Sequence, residues 1–536
     1  MQECRPARPG PQVVTVRSRG RVLGPLPWLA AVATVFALVQ LVVVVPGSGL
    51  AWDETVYVSQ VGGQAPPAFF SAPRARGITY LVAPVAALTT STILLRIYLV
   101  LLSAAALVVA LWIWRKVLPT PVLVGAGALF AGLWPTLFYG PMAMPNLWCA
   151  LGALAAAGWV VRAVSGVTGR AEPLGAGAAV ALVALMRPAD GFWLTLPLAL
   201  AAVLLPGRRR PDLCAALVVG LLAGCAPWVA EAYTQYGGVR ARLHRAGEIQ
   251  GGLGWNMAVD DQVRSLEGRT LCRPCDIPWK RPGTAVWWAA LPILTAGGTV
   301  VAHRAGRGTA ALVATATAGS LAVPYLFLIE YAAPRFLLPA YALLAVPVAE
   351  CVIQLFTRAT GARAGEARRT AGVTLAALVL AGHFAVQLQV LSRVSASSHS
   401  TSAGYAAVAG ALNRLGVRPP CVVSGDQAVP IAYYAGCSSR QTGGHDASIT
   451  PEGISAVARR TPVAVLVAGR AEPPAYARAW RSVPLPYTRG AGPHRGLLPG
   501  VDTAASASPA RYYGAAPSFS SIHPTPKRTT SSASNR

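Results

Sequence analysis

The chain has 536 residues, of which 54% are hydrophobic and 12% charged, whereas a soluble domain carries about 25% charged residues. That much apolar surface excludes a single water-soluble fold and points to lipid as the solvent. Lys and Arg (46) exceed Asp and Glu (20) to give a formal charge of +26, but the basic groups are short and lie between apolar runs, which excludes a nucleic-acid-binding patch.

Taken in chain order, a basic tail over 1–27, with Arg5, Arg8, Arg17, Arg19 and Arg21, precedes an apolar run over 28–45. This run exceeds the roughly 7 to 15 residues of a signal-peptide core and has no small-x-small cleavage site after it. It reads as a retained anchor with its N-terminus in the cytoplasm. Ten further runs of membrane-spanning character follow, over 94–114, 122–138, 147–161, 174–186, 192–205, 213–229, 285–302, 310–329, 336–356 and 371–391. Eleven spans are therefore expected. The runs 174–186 and 192–205 are short, and they form either two spans or one re-entrant hairpin broken at Arg187, Pro188 and Asp190.

Cytoplasmic loops are enriched in Lys and Arg. Arg115 and Lys116, Arg162 and Arg170, Arg208 to Arg210, Arg304 and Arg307, and Arg358 to Arg369 fall in alternate connections. That pattern puts the loops 46–93 and 230–284, and everything after about 392, on the outer face of a membrane domain covering 28–391. Cys272, Cys275, Cys421 and Cys437 then lie on the oxidising side, where disulfides within each segment are expected. Over 392–489, helical stretches alternate with β-type runs such as 421–424 and 462–468, and Thr450-Pro451 reads as an N-cap followed by proline at the first helical position. A small extracytoplasmic α/β domain is expected there. The Ser-, Pro- and Ala-rich stretch 490–536 has the composition of a disordered tail.

Chemistry concentrates after the first span, in Ala51-Trp52-Asp53-Glu54-Thr55-Val56-Tyr57. Adjacent carboxylates at a membrane surface are either an ordinary polar loop or a general base or metal-holding acid. The same loop supplies Arg74 and Arg76 in Pro-Arg-Ala-Arg-Gly, which either snorkel to lipid or hold a phosphate, to which a planar guanidinium is matched.

A basic tail, one span, an outer loop opening on Asp-Glu with a following Tyr, many later spans and an outward C-terminal domain resemble the GT-C-fold glycosyltransferases, including the protein O-mannosyltransferases and the lipid A aminoarabinose transferases. Tyr139-Gly140-Pro141 through Met144-Pro145-Asn146, Met186-Arg187-Pro188 with Asp190, and Pro334-Arg335-Phe336-Leu337-Leu338-Pro339 are similar too. The resemblance implies an all-α polytopic membrane protein carrying the small α/β domain. It also implies inverting transfer of a sugar from a polyprenyl-phosphate donor to an envelope polymer, lipid or secreted protein. By motif position it makes Asp53 the base, Glu54 its partner, and Arg74, Arg76, Arg335 and Tyr57 donor contacts, with a structural ion pair beside Glu330 as the other reading of Arg335. Arg187 and Asp190 belong either to the site or to a structural loop pair. No cofactor is expected, and Asp260-Asp261 reads as a solvated acidic turn in place of a metal site. The Pro-Arg-Ala-Arg-Gly motif stands where the aminoarabinose transferases use a lysine-proline motif, which leaves sugar and acceptor open. A flippase for lipid-linked intermediates and an inactive scaffold are the alternatives; the former is expected to show repeated halves, and no internal repeat is evident.

Overall fold

The computed structural model describes residues 24–499 except 168, 206–209, 253, 274, 276–277, 361–365 and 487–493. The expected N-tail up to residue 23 and the stretch from 500 onward lie outside the described residues.

Each of the apolar runs is helical, and the chain is a multi-pass membrane protein. Among the described residues eight helical segments are long and apolar enough to cross a membrane: Pro25–Val44, Thr92–Lys116, Asn146–Val164, Pro211–Gln235, Pro282–Arg304, Gly308–Phe327, Pro334–Thr360 and Arg369–Arg414. Shorter apolar helices, Thr120–Ala131, Ala171–Met186 and Pro188–Leu204, occupy the remaining three runs. The run 122–138 is not one helix. It breaks at Gly132 and Leu133, and a second helix, Trp134–Tyr139, opens with proline in its first turn. Pro135 has no N–H to continue the first ladder, and the Gln387 side chain accepts the Trp134 N–H at 2.9 Å. Arg187, extended because Pro188 follows it, separates the helices Ala171–Met186 and Pro188–Leu204. Their 16 and 17 residues correspond to lengths of about 24 and 26 Å.

Asn146–Val164 is the buried centre of the bundle, and Ala171–Met186, Leu338–Thr360 and Thr92–Ile113 pack around it. Lipid offers no hydrophobic drive for helix association, so close contact relies on small residues. Gly220 and Gly224 of Pro211–Gln235 lie against the backbone of Gly177 and Ala181, so close that a Cβ at Gly220 would sit 2.2 Å from the Gly177 oxygen.

The last long helix, Glu366–Arg414, passes the expected membrane-to-domain boundary at 391–392 without interruption. It carries the chain into a five-stranded sheet made of β1 (Val422–Gly425), β2 (Ser438–Ser439), β3 (Val463–Ala468), β4 (Arg481–Pro484) and β5 (His494–Leu498). The strand order is β2-β1-β3-β5-β4, with β1 parallel to β2 and β3, and β5 antiparallel to β3 and β4. Thr450 caps the helix Pro451–Ala458 by accepting the Gly453 N–H at 3.0 Å. β5 lies inside the stretch expected to be tail, so the ordered domain reaches at least Leu498. Leu497 and Leu498 are buried in the sheet, a short strand that the composition of the surrounding stretch conceals.

Disulfides join Cys272 to Cys275 and Cys421 to Cys437. The second ties the entries of β1 and β2 across a separation of 16 residues, a loop whose closure is worth about 3 kcal/mol. Cys421→Ser/Cys437→Ser is expected to expose this domain to limited proteolysis at a lower temperature than wild type; an unchanged digestion midpoint would remove the bridge from the stability account.

Candidate active site

A cavity of about 630 Å³ lies between the membrane bundle and the C-terminal domain, with Asp53, Arg74 and Arg335 in its wall. Asp53 stands in the first turn of the helix Trp52–Ser59, where the N-terminal dipole favours a carboxylate. Each of its oxygens faces a different arginine: Oδ1 accepts from Arg74 Nη2 at 2.8 Å, and Oδ2 lies 3.4 Å from Arg335 Nη2. The Asp53 side chain remains 35% exposed. Burial pulls its carboxyl upward, but the Arg74 and Arg335 guanidiniums outweigh that and hold it below the usual carboxylate range.

The two arginines are themselves held. Arg74 Nη1 donates to Ser71 Oγ at 2.5 Å and lies 3.5 Å from Asp446 Oδ1. Arg335, on the short turn Pro334–Leu337 that opens Leu338–Thr360, donates to the Thr270 carbonyl at 2.8 Å and to the Tyr139 hydroxyl at 3.4 Å.

Glu54 has a different setting from its neighbour. It is 1% exposed, and both its oxygens are saturated. Oε1 accepts from Arg96 and from the Ala143 N–H at 2.7 Å, and Oε2 accepts from Arg96 and from the Ala51 N–H, each at 2.9 Å. Arg96 spends its remaining donors on Ser48 Oγ at 3.1 Å, the Pro141 carbonyl at 2.7 Å and the Gly49 carbonyl. This node knits the loop after the first span, the span Thr92–Ile113 and the 140–146 connection into one support behind Asp53.

Arg76 is not in the cavity wall. Its Nε donates to Glu231 Oε1 at 2.5 Å, its Nη1 donates to Gln60 Oε1 at 2.8 Å, and its guanidinium lies 3.9 Å over Phe70. Tyr57 does not line the cavity either; it is buried edge-on to Phe70, with its phenol pushed up to about 12 by burial. Arg187 and Asp190 pair at 3.7 Å; Asp190 also accepts from the Tyr325 hydroxyl, and Arg187 sits 5.3 Å from the Phe336 ring. That ring is flanked by Arg335 at the same distance, so the Arg187 pair borders the cavity wall without lining it. Asp260 pairs with Arg264 at 2.5 Å, and among the described residues no three His, Cys, Asp or Glu side chains converge as a metal site.

Three contributors are absent from the sequence-based list. Arg96 was legible as the sole charge in the run 94–114, since an ionisable group within a membrane span marks a paired or functional position. Arg242 is fully buried and donates to the carbonyls of Ala72, Arg74 and Trp228 and to Glu231. It locks the helix Val239–Ile249 onto the loop that carries Arg74. The third is the wall supplied from beyond the bundle. Along Glu366–Arg414 the lining changes from Val394 to Ser397, Ser398 and Thr401, and then to Tyr405 beside Asp426 and Gln427. Leu50, Trp52, Phe138, Met142, Met144 and Leu271 make the apolar wall.

The helical membrane bundle, with a polar cavity where the small C-terminal domain meets it, has the GT-C fold. Solved structures sharing the fold include ArnT from Cupriavidus metallidurans bound to undecaprenyl phosphate, with a TM-score of 0.64 at 12% identity over 90% of this chain and 99% of that one. ArnT in the apo state gives 0.56 at 11% identity over 88% and 97%. The apo oligosaccharyltransferase of Archaeoglobus fulgidus gives 0.51 at 12% identity over 82% of this chain and 69% of its own. No protein-family model and no curated protein matches the chain.

Proposed function

We propose that the protein is an inverting glycosyltransferase that moves a sugar from a polyprenyl-phosphate donor to a cell-envelope acceptor on the outer face of the membrane. The observation that carries this reading is Asp53 held between Arg74 and Arg335 in a cavity lined by both apolar and hydroxyl-bearing side chains. A lipid-phosphate sugar combines the matching properties: an apolar chain, an anion and a polyhydroxyl ring. ArnT bound to undecaprenyl phosphate shares the fold, which supports a lipid phosphate as the ligand.

In this scheme the phosphate takes donors from Arg74 and Arg335, which match its oxygens and neutralise the charge that builds on departure. An acceptor hydroxyl attacks the anomeric carbon from the face opposite the phosphate. The new carbon–oxygen bond forms as the bond to phosphate oxygen breaks, the lipid phosphate leaves with the electron pair, and Asp53 takes the hydroxyl proton. Arrival of a second anion beside Asp53, and its competition for both guanidiniums, raises the carboxyl toward a useful basicity. Glu54 serves as the fixed support of that loop, and the basic short loops support an orientation with the N-terminus in the cytoplasm and the C-terminal domain outside.

The test supplies membranes containing the protein with radiolabelled undecaprenyl-phosphate sugars. Label appearing in an envelope acceptor with release of undecaprenyl phosphate supports transfer. Label crossing the bilayer still attached to lipid would instead make the protein a flippase. Arg76→Ala is expected to lower the thermal midpoint through the loss of Glu231 and Gln60 contacts while leaving undecaprenyl phosphate affinity within about twofold. Arg335→Ala is expected to weaken that affinity by about tenfold or more. Equal effects of the two substitutions would refute the assignment of Arg335 to the phosphate.

A further inference from the structure

The polar end of the cavity takes no part in lipid-phosphate chemistry, and its most specific feature lies at the C-terminal end of β1. Asp426 and Gln427 follow that strand directly and both line the cavity. The carboxyl end of a parallel strand is where open α/β sheets place ligands, and β1 has parallel partners on both sides.

The turn is held rigidly in a costly conformation. Gly425 has φ +90°, and a Cβ there would lie 2.1 Å from the Leu466 oxygen. The Gln441 side chain clasps the same residue, accepting its N–H at 3.2 Å and donating to its carbonyl at 2.9 Å. Gln427 has φ +51° and is the one non-glycine residue with positive φ among the described residues. Such strain persists where surrounding structure over-determines it, and it clusters at ligand sites. The Tyr405 hydroxyl donates to Gln427 Oε1 at 2.8 Å, and the Gln427 amide NH2 has no protein partner among the described residues. Asp426 Oδ2 lies 2.9 Å from Nε2 of His494; the His494 side chain is fully buried, while Asp426 stays 41% exposed. A buried imidazole therefore orients a carboxylate that still faces solvent.

Charge decides the ligand. Among the described residues no arginine pairs with the Asp426 carboxylate, and a carboxylate repels a phosphate, so this end is not assigned to the lipid anion. A carboxylate next to an amide suits neutral vicinal hydroxyls: the carboxylate accepts from adjacent O–H groups, and the amide donates to a hydroxyl oxygen. Ser397, Ser398 and Thr401 add hydroxyls on the adjoining wall. We propose that Asp426 and Gln427 form a sugar-hydroxyl subsite, with His494 and Tyr405 as its positioning residues. The assignment rests on the transferase reading above and adds to it the group that recognises the sugar.

The experiment uses the full chain in nanodiscs and measures affinity for undecaprenyl phosphate and for its glucose, mannose and arabinose conjugates. Wild type should prefer at least one conjugate over the bare lipid. Asp426→Asn and Gln427→Gly should each reduce that preference by about tenfold, while bare-lipid affinity stays within about twofold. Gln427→Gly relieves the positive φ, so it keeps the fold while deleting the amide. A second arm adds soluble oligosaccharides to protein saturated with undecaprenyl phosphate. Loss of donor preference assigns the subsite to the transferred sugar, whereas loss of oligosaccharide binding with donor preference intact assigns it to the acceptor. Both variants keeping wild-type behaviour in both arms would overturn the subsite and leave the transferase reading standing. Failure of wild type to bind bare undecaprenyl phosphate would overturn the transferase reading and this assignment with it.

Discussion

Arg96→Met is expected to cost about 3 to 5 kcal/mol of stability, the loss that follows when one partner of a buried ion pair is removed. Arg96 is fully buried and Glu54 nearly so. The methionine would leave the Glu54 carboxylate with only the Ala51 and Ala143 N–H groups, and would orphan the carbonyls of Gly49 and Pro141. Glu54→Gln should be milder, because an amide still offers one acceptor oxygen, although its NH2 then opposes an arginine donor. The double replacement Glu54→Met/Arg96→Met removes both charges and should recover part of the loss. Thermal unfolding in detergent measures all three, and a single Arg96→Met variant as stable as wild type would remove the pair from its supporting role. The same series separates support from chemistry. Damage at Glu54 and Arg96 should follow loss of fold, whereas damage at Asp53 should occur in a folded protein.

How much of this was legible follows from the range over which each signal acts. Apolar runs report burial in lipid locally, so the helices emerge from composition alone; the break in 122–138 was written in Trp134-Pro135, within a run that the hydropathy average carried through. The position of Asp53 and Glu54 after the first span was visible, but their division of labour was not. That division depends on Arg96 standing 42 residues from Glu54 and on Arg335 standing 282 residues from Asp53, distances at which spacing carries no information. Arg74 and Arg76 are two residues apart in a loop, and nothing local says that Glu231 captures the second. Asp426 and Gln427 match no motif; they reach the cavity because β1 ends there. A single positive-φ glutamine cannot be read from residue types.

Asp53→Asn is expected to lower turnover by about 100-fold to 10,000-fold, the range for loss of a positioned general base, without weakening the hold on the lipid. The carboxylate pairs with both Arg74 and Arg335. Its neutral replacement therefore frees both guanidiniums, and undecaprenyl phosphate should bind Asp53→Asn at least as tightly as wild type. A base that merely held the arginines in place would show the reverse, weaker binding together with slower turnover. The pH dependence supplies an independent sign. In the free protein the Asp53 carboxyl is held below the usual carboxylate range, so it is ionised throughout the neutral range and the acid limb of kcat/KM should lie below that range. With donor bound, the phosphate takes up the arginines and repels the carboxylate, so the acid limb of kcat should lie at higher pH than that of kcat/KM. Coincident acid limbs, or transfer by Asp53→Asn equal to wild type, would exclude Asp53 as the group that accepts the proton.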